Sequence, residues 1–312
     1  MGTVCAAAVS AEPSEREAAG LALKAALHEV AACERALSRF NAQSDLCRLN
    51  RAEGSWVAVD ERLIEALTAA LHARTDTGGR FDPTILPALA AAGYDRSFEL
   101  LTERAARPPV GWRAGTRVDL DATAGKARLD RGTAVDLGGI GKGFAATRAL
   151  SAMRTAWPDL SGALVDLGGD IAVWGAAPEG GPWRIDIADA RMPDRIAATL
   201  ELTSGGVATS GRDARRFGPG GGLHHLIDPA TGAPAGAGPL AVTVVATTAT
   251  EAEAHATALA VCDIADARAH LASRPDLAAL LIPQLGELVR IGPLPLVRER
   301  PRAQFVITTQ GG

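Results

Sequence analysis

Apolar residues recur at near-helical spacing early in the chain, at Leu23, Leu27, Val30 and Leu37. This predicts one long amphipathic helix ending near Phe40. Pro13 and the capping-box pattern Ser14-Glu-Arg-Glu17 mark its start. A second helix is expected after Asp60, where Leu63, Leu67 and Leu71 fall at i, i+4 and i+8, and Thr77-Gly-Gly79 ends it. Further on the period shortens. Residues 118–121 and 127–129 flank Gly125-Lys126 and predict a hairpin. Runs at 163–167, 183–187, 197–203, 240–246 and 304–308 predict further strands, with helices over 249–261 and 265–273. The Arg-, Pro- and Gly-rich stretch 103–116 reads as a connecting loop, and the glycines of 218–222 as a flexible one. Helices and strands mix without strict alternation, so the expected fold class is α+β with mostly antiparallel sheets, not a doubly wound parallel sheet.

Composition narrows the function. The 312 residues are 47% hydrophobic and 22% charged, enough for a substantial core. The formal net charge is −4 and no lysine or arginine stripe forms, which argues against a nucleic-acid partner. A nucleotide-sized ligand needs only a local pocket. Cys5, Cys33, Cys47 and Cys262 lie far apart with no C-x-x-C pair, so neither a metal centre nor a disulfide framework is expected. Cys33 and Cys262 read as small core residues. The sequence shows no signal-peptide pattern, no apolar run of membrane-spanning length and no lipid-anchor segment, and a cytoplasmic location is expected.

The densest signal is Asp136-Leu-Gly-Gly-Ile-Gly-Lys-Gly-Phe144. Glycines at 138, 139, 141 and 143 allow a tight turn, and the helix-forming residues after Phe144 suggest that the turn opens a helix. Such a helix start points N–H groups and a positive dipole end toward an anion such as phosphate. The segment is neither a Walker A loop nor a Gly-x-Gly-x-x-Gly fingerprint. A second candidate is Glu253 with Thr257, four residues apart on one helical face. Both carry hard oxygen donors suited to Mg²⁺. The spacing alone favours a solvent-facing glutamate and a helix threonine, because such pairs are common on helix faces.

Other blocks accompany the glycine turn: Ser38-Arg-Phe-Asn-Ala-Gln-Ser-Asp-Leu46 with Leu49-Asn50, Gly79-Arg-Phe-Asp-Pro-Thr84 with Pro87, Gly168-Gly169-Asp170, and His225-Leu-Ile-Asp-Pro-Ala-Thr-Gly232. Together, from Met1-Gly2-Thr3 to about Leu259, they resemble the ApbE family of FAD:protein FMN transferases. The resemblance implies one α+β domain related to the T-fold over residues 1–312. It implies Mg²⁺-dependent transfer of FMN from FAD to a serine or threonine hydroxyl of a target protein, with AMP released. Two other outcomes stay open: hydrolysis of FAD to FMN and AMP, and FAD binding without turnover. The implied partners are FAD and an acceptor protein with a short Ser/Thr motif. The closest stretch in this chain, Ser161-Gly-Ala-Leu164, lacks a hydroxyl at 164, so self-modification is not expected.

The resemblance also distributes roles. The metal ligands would be Glu253, Thr257 and the carbonyl of Gly141. Glu253 stands where the family usually has aspartate, a side chain longer by one C–C bond, roughly 1.5 Å. FAD would contact Met1, Phe40, Arg80, Phe81, Asp82, Gly138, Phe144 and His225. Lys142 reads either as a point charge for a phosphate or as a solvated loop lysine. His225 would serve as general base toward the acceptor hydroxyl, hold the pyrophosphate, or simply bond a loop carbonyl. His224 reads as a packing or surface residue.

Overall fold

Seven antiparallel strands cross the central sheet in the order in which the chain makes them: β1 (Cys5–Ser10), β2 (Gly162–Leu167), β3 (Ile171–Gly175), β4 (Ser204–Gly211), β5 (Ala241–Ala246), β6 (Ala278–Ile282) and β7 (Val289–Ile291). This is a computed structural model, and it describes residues 3–96, 111–212, 216–217, 223–236 and 238–297. Met1, the run at 304–308, the glycines of 218–222 and most of the 103–116 stretch lie outside those residues.

The helices are inserted between neighbouring strands. Among the described residues five lie between β1 and β2: α1 (Arg16–Leu37), α2 (Asp45–Asn50), α3 (Glu61–Asp76), α4 (Leu86–Ala91) and α5 (Gly141–Ala156). Two more, α6 (Ala249–Ala260) and α7 (Ile264–Ala272), lie between β5 and β6. The predicted hairpin forms as Val118–Asp121 against Lys126–Leu129, joined by Val57–Ala58 in a three-stranded sheet. Trp183–Asp189 and Met192–Leu202 pair as a long ribbon between β3 and β4. The α+β class is as expected. Among the described residues no helix is long and apolar enough to cross a membrane.

α1 departs from the periodicity argument in an instructive way. A 3-10 turn, Pro13–Glu15, leads into it, and the capping box on that turn is Glu12 with Glu15, whose carboxylate accepts the Glu12 N–H at 2.8 Å, not Ser14 with Glu17. It ends at Leu37, with Ser38 as its C-cap. Of the periodic apolar residues Leu37 lies in the core and Leu23 and Val30 pack against it, while Leu27 is 62% exposed, so they do not make up the buried face alone. Alanines supply most of it: Ala19, Ala22, Ala26 and Ala36 pack with Ala145, Ala146 and Ala149 of α5 in one core. Small side chains set helix axes close together. Glu29 sits buried on that face, with Oε2 2.8 Å from Arg62 Nη2 of α3 and Oε1 bonded to Arg148 of α5. Burial pushes its carboxyl upward, but the two guanidiniums outweigh that and hold it below the usual range.

α6 packs on the sheet through Ala252, Ala256 and Leu259, against Ala208 of β4 and Val242 and Val244 of β5. α5 and α6 also meet each other. A Cβ on Gly143 would collide with the Ala249 carbonyl, which is why glycine stands there. This contact brings the glycine turn to α6.

Candidate active site

α5 begins at Gly141, so the glycines do open a helix. Gly141 N–H donates to the Leu137 carbonyl at 2.7 Å, which closes the turn. Asp136 organises the entry: Oδ2 accepts from Gly138 N at 2.9 Å, and Oδ1 lies 2.9 Å from Arg39 Nε. Its own N–H reaches the Pro83 carbonyl at 2.8 Å and ties the turn to the 81–83 segment. A Cβ on Gly139 would stand 2.9 Å from Thr257 Cγ2 and Oγ1, whereas one on Gly141 would meet only Leu137 Cβ at 3.7 Å. Gly139 is therefore fixed by its neighbour and Gly141 is not.

Glu253 is buried, at 2% exposure, so the solvent-facing reading of its spacing does not hold. Both of its oxygens are engaged: Oε1 accepts from Lys142 Nζ at 2.6 Å and Oε2 from Gly143 N–H at 2.7 Å. Lys142 also pairs with Asp170, buried at 1% exposure. The lysine is thus neither solvated nor left aside for a ligand, but bridges two carboxylates. Asp170 is brought there by the β2–β3 turn, where Gly168 and Gly169 adopt φ of +75° and +93°. Side chains rarely take that conformation.

Two carboxylates share one ammonium, so the buried cluster holds one acid more than it has bases, and the two acids do not both ionise freely at neutral pH. Burial, reinforced by the neighbouring Glu253, pushes the Asp170 carboxyl up to about 8 despite Lys142. Burial pulls the Lys142 ammonium downward, but the two carboxylates outweigh it and hold it above its ordinary value. Thr257 Oγ1 donates to the Gly139 carbonyl at 3.2 Å and lies 3.3 Å from Ser210 Oγ of β4. The turn carbonyl met by Thr257 is thus Gly139's, two residues before Gly141. Among the described residues no group of three or more His, Cys, Asp or Glu side chains is placed to hold a metal.

Of the residues expected near FAD, Phe40 stands 48% exposed at a cleft lined also by Arg39, Asp136, Gly138, Gly141 and Lys142. Phe81 is buried, and its ring would lie 3.3 Å from a Cβ on Gly139. Asp82 is buried and spent on structure, accepting from Thr84 N at 2.8 Å, Thr84 Oγ1 at 2.7 Å and Gly115 N at 2.6 Å. Arg80 turns toward α7, 3.5 Å from Asp266. Phe144 is buried in the core of α1 and α5. Phe81 therefore packs against the turn, Asp82 holds its own loop and Phe144 belongs to the core of the helix. Met1 lies outside the described residues.

His225 is half-buried and meets the Tyr94 ring edge-on, at 6.4 Å between centroids. Tyr94 stands 6.3 Å from Phe40, so one aromatic row links His225 to the cleft. His224 is buried, with Nε2 3.0 Å from the Ala235 carbonyl, a packing residue. The Asp228 carboxylate accepts the Ala230 N–H at 2.9 Å and shapes the loop after the histidine. Asp170, Arg39, Tyr94 and Ser210 received no role from the sequence. Tyr94 is the only tyrosine of the chain, which was a usable signal. Cys33 and Cys262 are buried, and burial raises their thiols to about 12 and about 11, as fits core residues.

An antiparallel α+β fold in which a glycine turn meets a buried carboxylate pair defines the class. The chain belongs to the ApbE family, whose profile matches residues 1–281. It is 34% identical over 306 residues to the FAD:protein FMN transferase of Treponema pallidum (strain Nichols), covering 90% of this chain and 82% of that protein. The protein of the same name from Klebsiella pneumoniae (strain 342) is 30% identical over 264 residues, covering 78% and 72%. Among solved structures, the ApbE protein of Thermotoga maritima superposes with a TM-score of 0.78 at 29% identity, over 93% of this chain and 92% of that one. The flavin transferase ApbE of Vibrio cholerae shares the fold, with a TM-score of 0.74 at 22% identity over 93% and 94%.

Proposed function

We propose that this chain is a single-domain FAD:protein FMN transferase that moves FMN from FAD to a serine or threonine hydroxyl of an acceptor protein and releases AMP. The observation that carries the reading is the buried pair Asp170 and Glu253, sharing one ammonium beside the glycine turn. The two carboxylates, the Thr257 hydroxyl and a turn carbonyl form a set of hard oxygen donors, which fits Mg²⁺, a hard cation that accepts few protein ligands and whose arrival would favour the ionised form of Asp170. Glu253, Thr257 and the carbonyl of Gly139 or Gly141 would hold it, with Asp170 as a further carboxylate. When bound, the ion supplies positive charge against the charge that builds on the pyrophosphate.

The protein's own residues do the rest. Phe40 offers an exposed ring face to the flavin. His225, on the aromatic row from that ring, takes the proton of the acceptor hydroxyl. The hydroxyl oxygen bonds to the FMN phosphorus, the phosphoanhydride bond breaks, and AMP leaves with the bridging oxygen. Positioning and charge account for most of the acceleration, as in other phosphoryl transfers.

The test is incubation with FAD, Mg²⁺ and candidate acceptor proteins, reading acceptor mass and AMP together. Gain of one FMN per acceptor with equimolar AMP supports the reading. FMN and AMP released with no change in acceptor mass would replace it with FAD hydrolysis. Bound, intact FAD would replace it with a flavin carrier.

A further inference from the structure

Arg39 follows the end of α1, and its side chain is only 9% exposed. Its guanidinium carbon lies 4.2 Å from the Phe40 ring centroid and 4.4 Å from that of Tyr94. Nε pairs with Asp136 Oδ1 at 2.9 Å, and Nη1 donates to the Tyr94 carbonyl at 3.1 Å. Nη2 is different. It is buried and has no acceptor among the described residues. Leaving a charged N–H dry costs more than leaving a neutral one, so such a donor calls for a partner from outside the chain. Arg39 lines the same cleft as Phe40, Gly138 and Lys142.

We infer that Arg39 Nη2 reads the flavin: it donates to a ring carbonyl of the isoalloxazine while the flavin lies against the exposed Phe40, which makes Arg39 a specificity-determining residue. The inference rests on the FAD reading above and adds to it a residue and a contacted group.

Three observations select a carbonyl over a phosphate or the adenine. The charge of Arg39 is already matched by Asp136, so this end of the cleft has no surplus cation to attract an anion. The pyrimidine half of a flavin presents two carbonyl oxygens, pure acceptors toward a donor-only guanidinium. An adenine edge sets an amino donor beside its ring acceptor, which matches a guanidinium less well. The clamp between two rings and two oxygens also holds the fork rigid before the ligand arrives, which limits the ordering cost of binding.

The experiment measures binding of riboflavin, FAD and ADP by calorimetry to the full chain and to Arg39→Lys and Arg39→Met, each checked by circular dichroism. Arg39→Lys keeps a cation for Asp136 and removes the fork. The expected result is a loss of about tenfold or more for riboflavin and FAD alike, with ADP unchanged. On the parent protein, 2-thio- or 4-thioriboflavin, whose sulfur is a weak acceptor, should bind more weakly than riboflavin. This comparison needs no folded variant. Unchanged riboflavin affinity in Arg39→Lys overturns the inference, as does a loss confined to FAD, which would place Arg39 on a phosphate. A parent protein that binds no flavin would sink the FAD reading itself. A parent that binds flavin with indifferent Arg39 variants would sink only this inference.

Discussion

Lys142 Nζ, in the first turn of α5, lies 2.6 Å from Glu253 Oε1 on α6, and the same ammonium pairs with Asp170 beyond the β2–β3 turn. One cation thus joins two helices and a sheet turn.

Removing that cation should leave the buried charge shared by Asp170 and Glu253 with no counter-charge. Lys142→Met is expected to lose about 3–5 kcal/mol of stability in metal-free buffer, the range for breaking a buried ion pair from one side. Mg²⁺ should then raise the melting temperature of the variant more than that of the parent. Equal increments in both proteins would show that the ion does not bind at these carboxylates.

The glycine turn offers a matched pair of substitutions. Gly139→Ala places a methyl 2.9 Å from Thr257 and should cost about 1–3 kcal/mol, with weaker Mg²⁺ dependence because Thr257 moves. Gly141→Ala meets only Leu137 at 3.7 Å and should stay within about 0.5 kcal/mol of the parent. Urea midpoints decide, and the reverse order would mean the turn is packed differently.

Glu253→Gln keeps the size and hydrogen-bonding reach of the side chain but removes its charge. AMP release should then need at least about tenfold more Mg²⁺ for the same rate, given the worth of one charged ligand. Thr257→Val should shift the requirement in the same direction. An unchanged Mg²⁺ titration of the Glu253→Gln rate would move the metal elsewhere.

His225→Ala should slow transfer by roughly 10²-fold, the usual worth of a general base, while FAD affinity stays near that of the parent. If affinity falls and the single-turnover rate survives, His225 holds the ligand and is not the base.

Glu29 gives a pH-dependent prediction far from the chemistry. Its folded carboxyl is held below the unfolded value by Arg62 and Arg148 against the upward push of burial. The unfolded chain therefore binds more protons around and below the ordinary glutamate range, so this contribution is full above pH 4.5 and fades as pH falls through the folded value. Glu29→Gln should cost about 1–3 kcal/mol at pH 7 and flatten the acid limb of the stability curve. Denaturant melts from pH 7 to 3 read both effects, and parallel curves for parent and variant would refute the assignment.

Much of this was legible in the sequence, for reasons particular to each element. The helix after Asp60 and the β5 run carry clean periodicity, and both appear. β1 was missed because Cys5-Ala-Ala-Ala-Val-Ser10 has helix-forming composition and becomes a strand only by pairing with β2. β4 was missed because Ser204-Gly-Gly-Val-Ala-Thr-Ser-Gly211 is poor in strand formers, and neighbours on both sides hold it. In α1 the apolar periodicity gave Leu37 in the core and Leu23 and Val30 packed against it, but Leu27 is exposed and the contact with α5 is made by alanines that carry little hydrophobic signal. The conjunction of Glu253 and Thr257 with the glycine turn was foreseen. The grip of Lys142 on Asp170 was not, because nothing local encodes a contact across a turn of another sheet strand.

The residues of the carboxylate site are far apart along the chain: Lys142 and Asp170 are 28 positions apart, and Lys142 and Glu253 are 111 apart. During synthesis the first pair emerges early and is self-neutralising, one acid against one base. The second acid arrives only after β2, β3, β4 and β5 have been made. The carboxylate pair is therefore incomplete until α6 has been made. On the proposed reading, fragments that end before α6 lack one of the two carboxylates and are expected to be silent toward Mg²⁺.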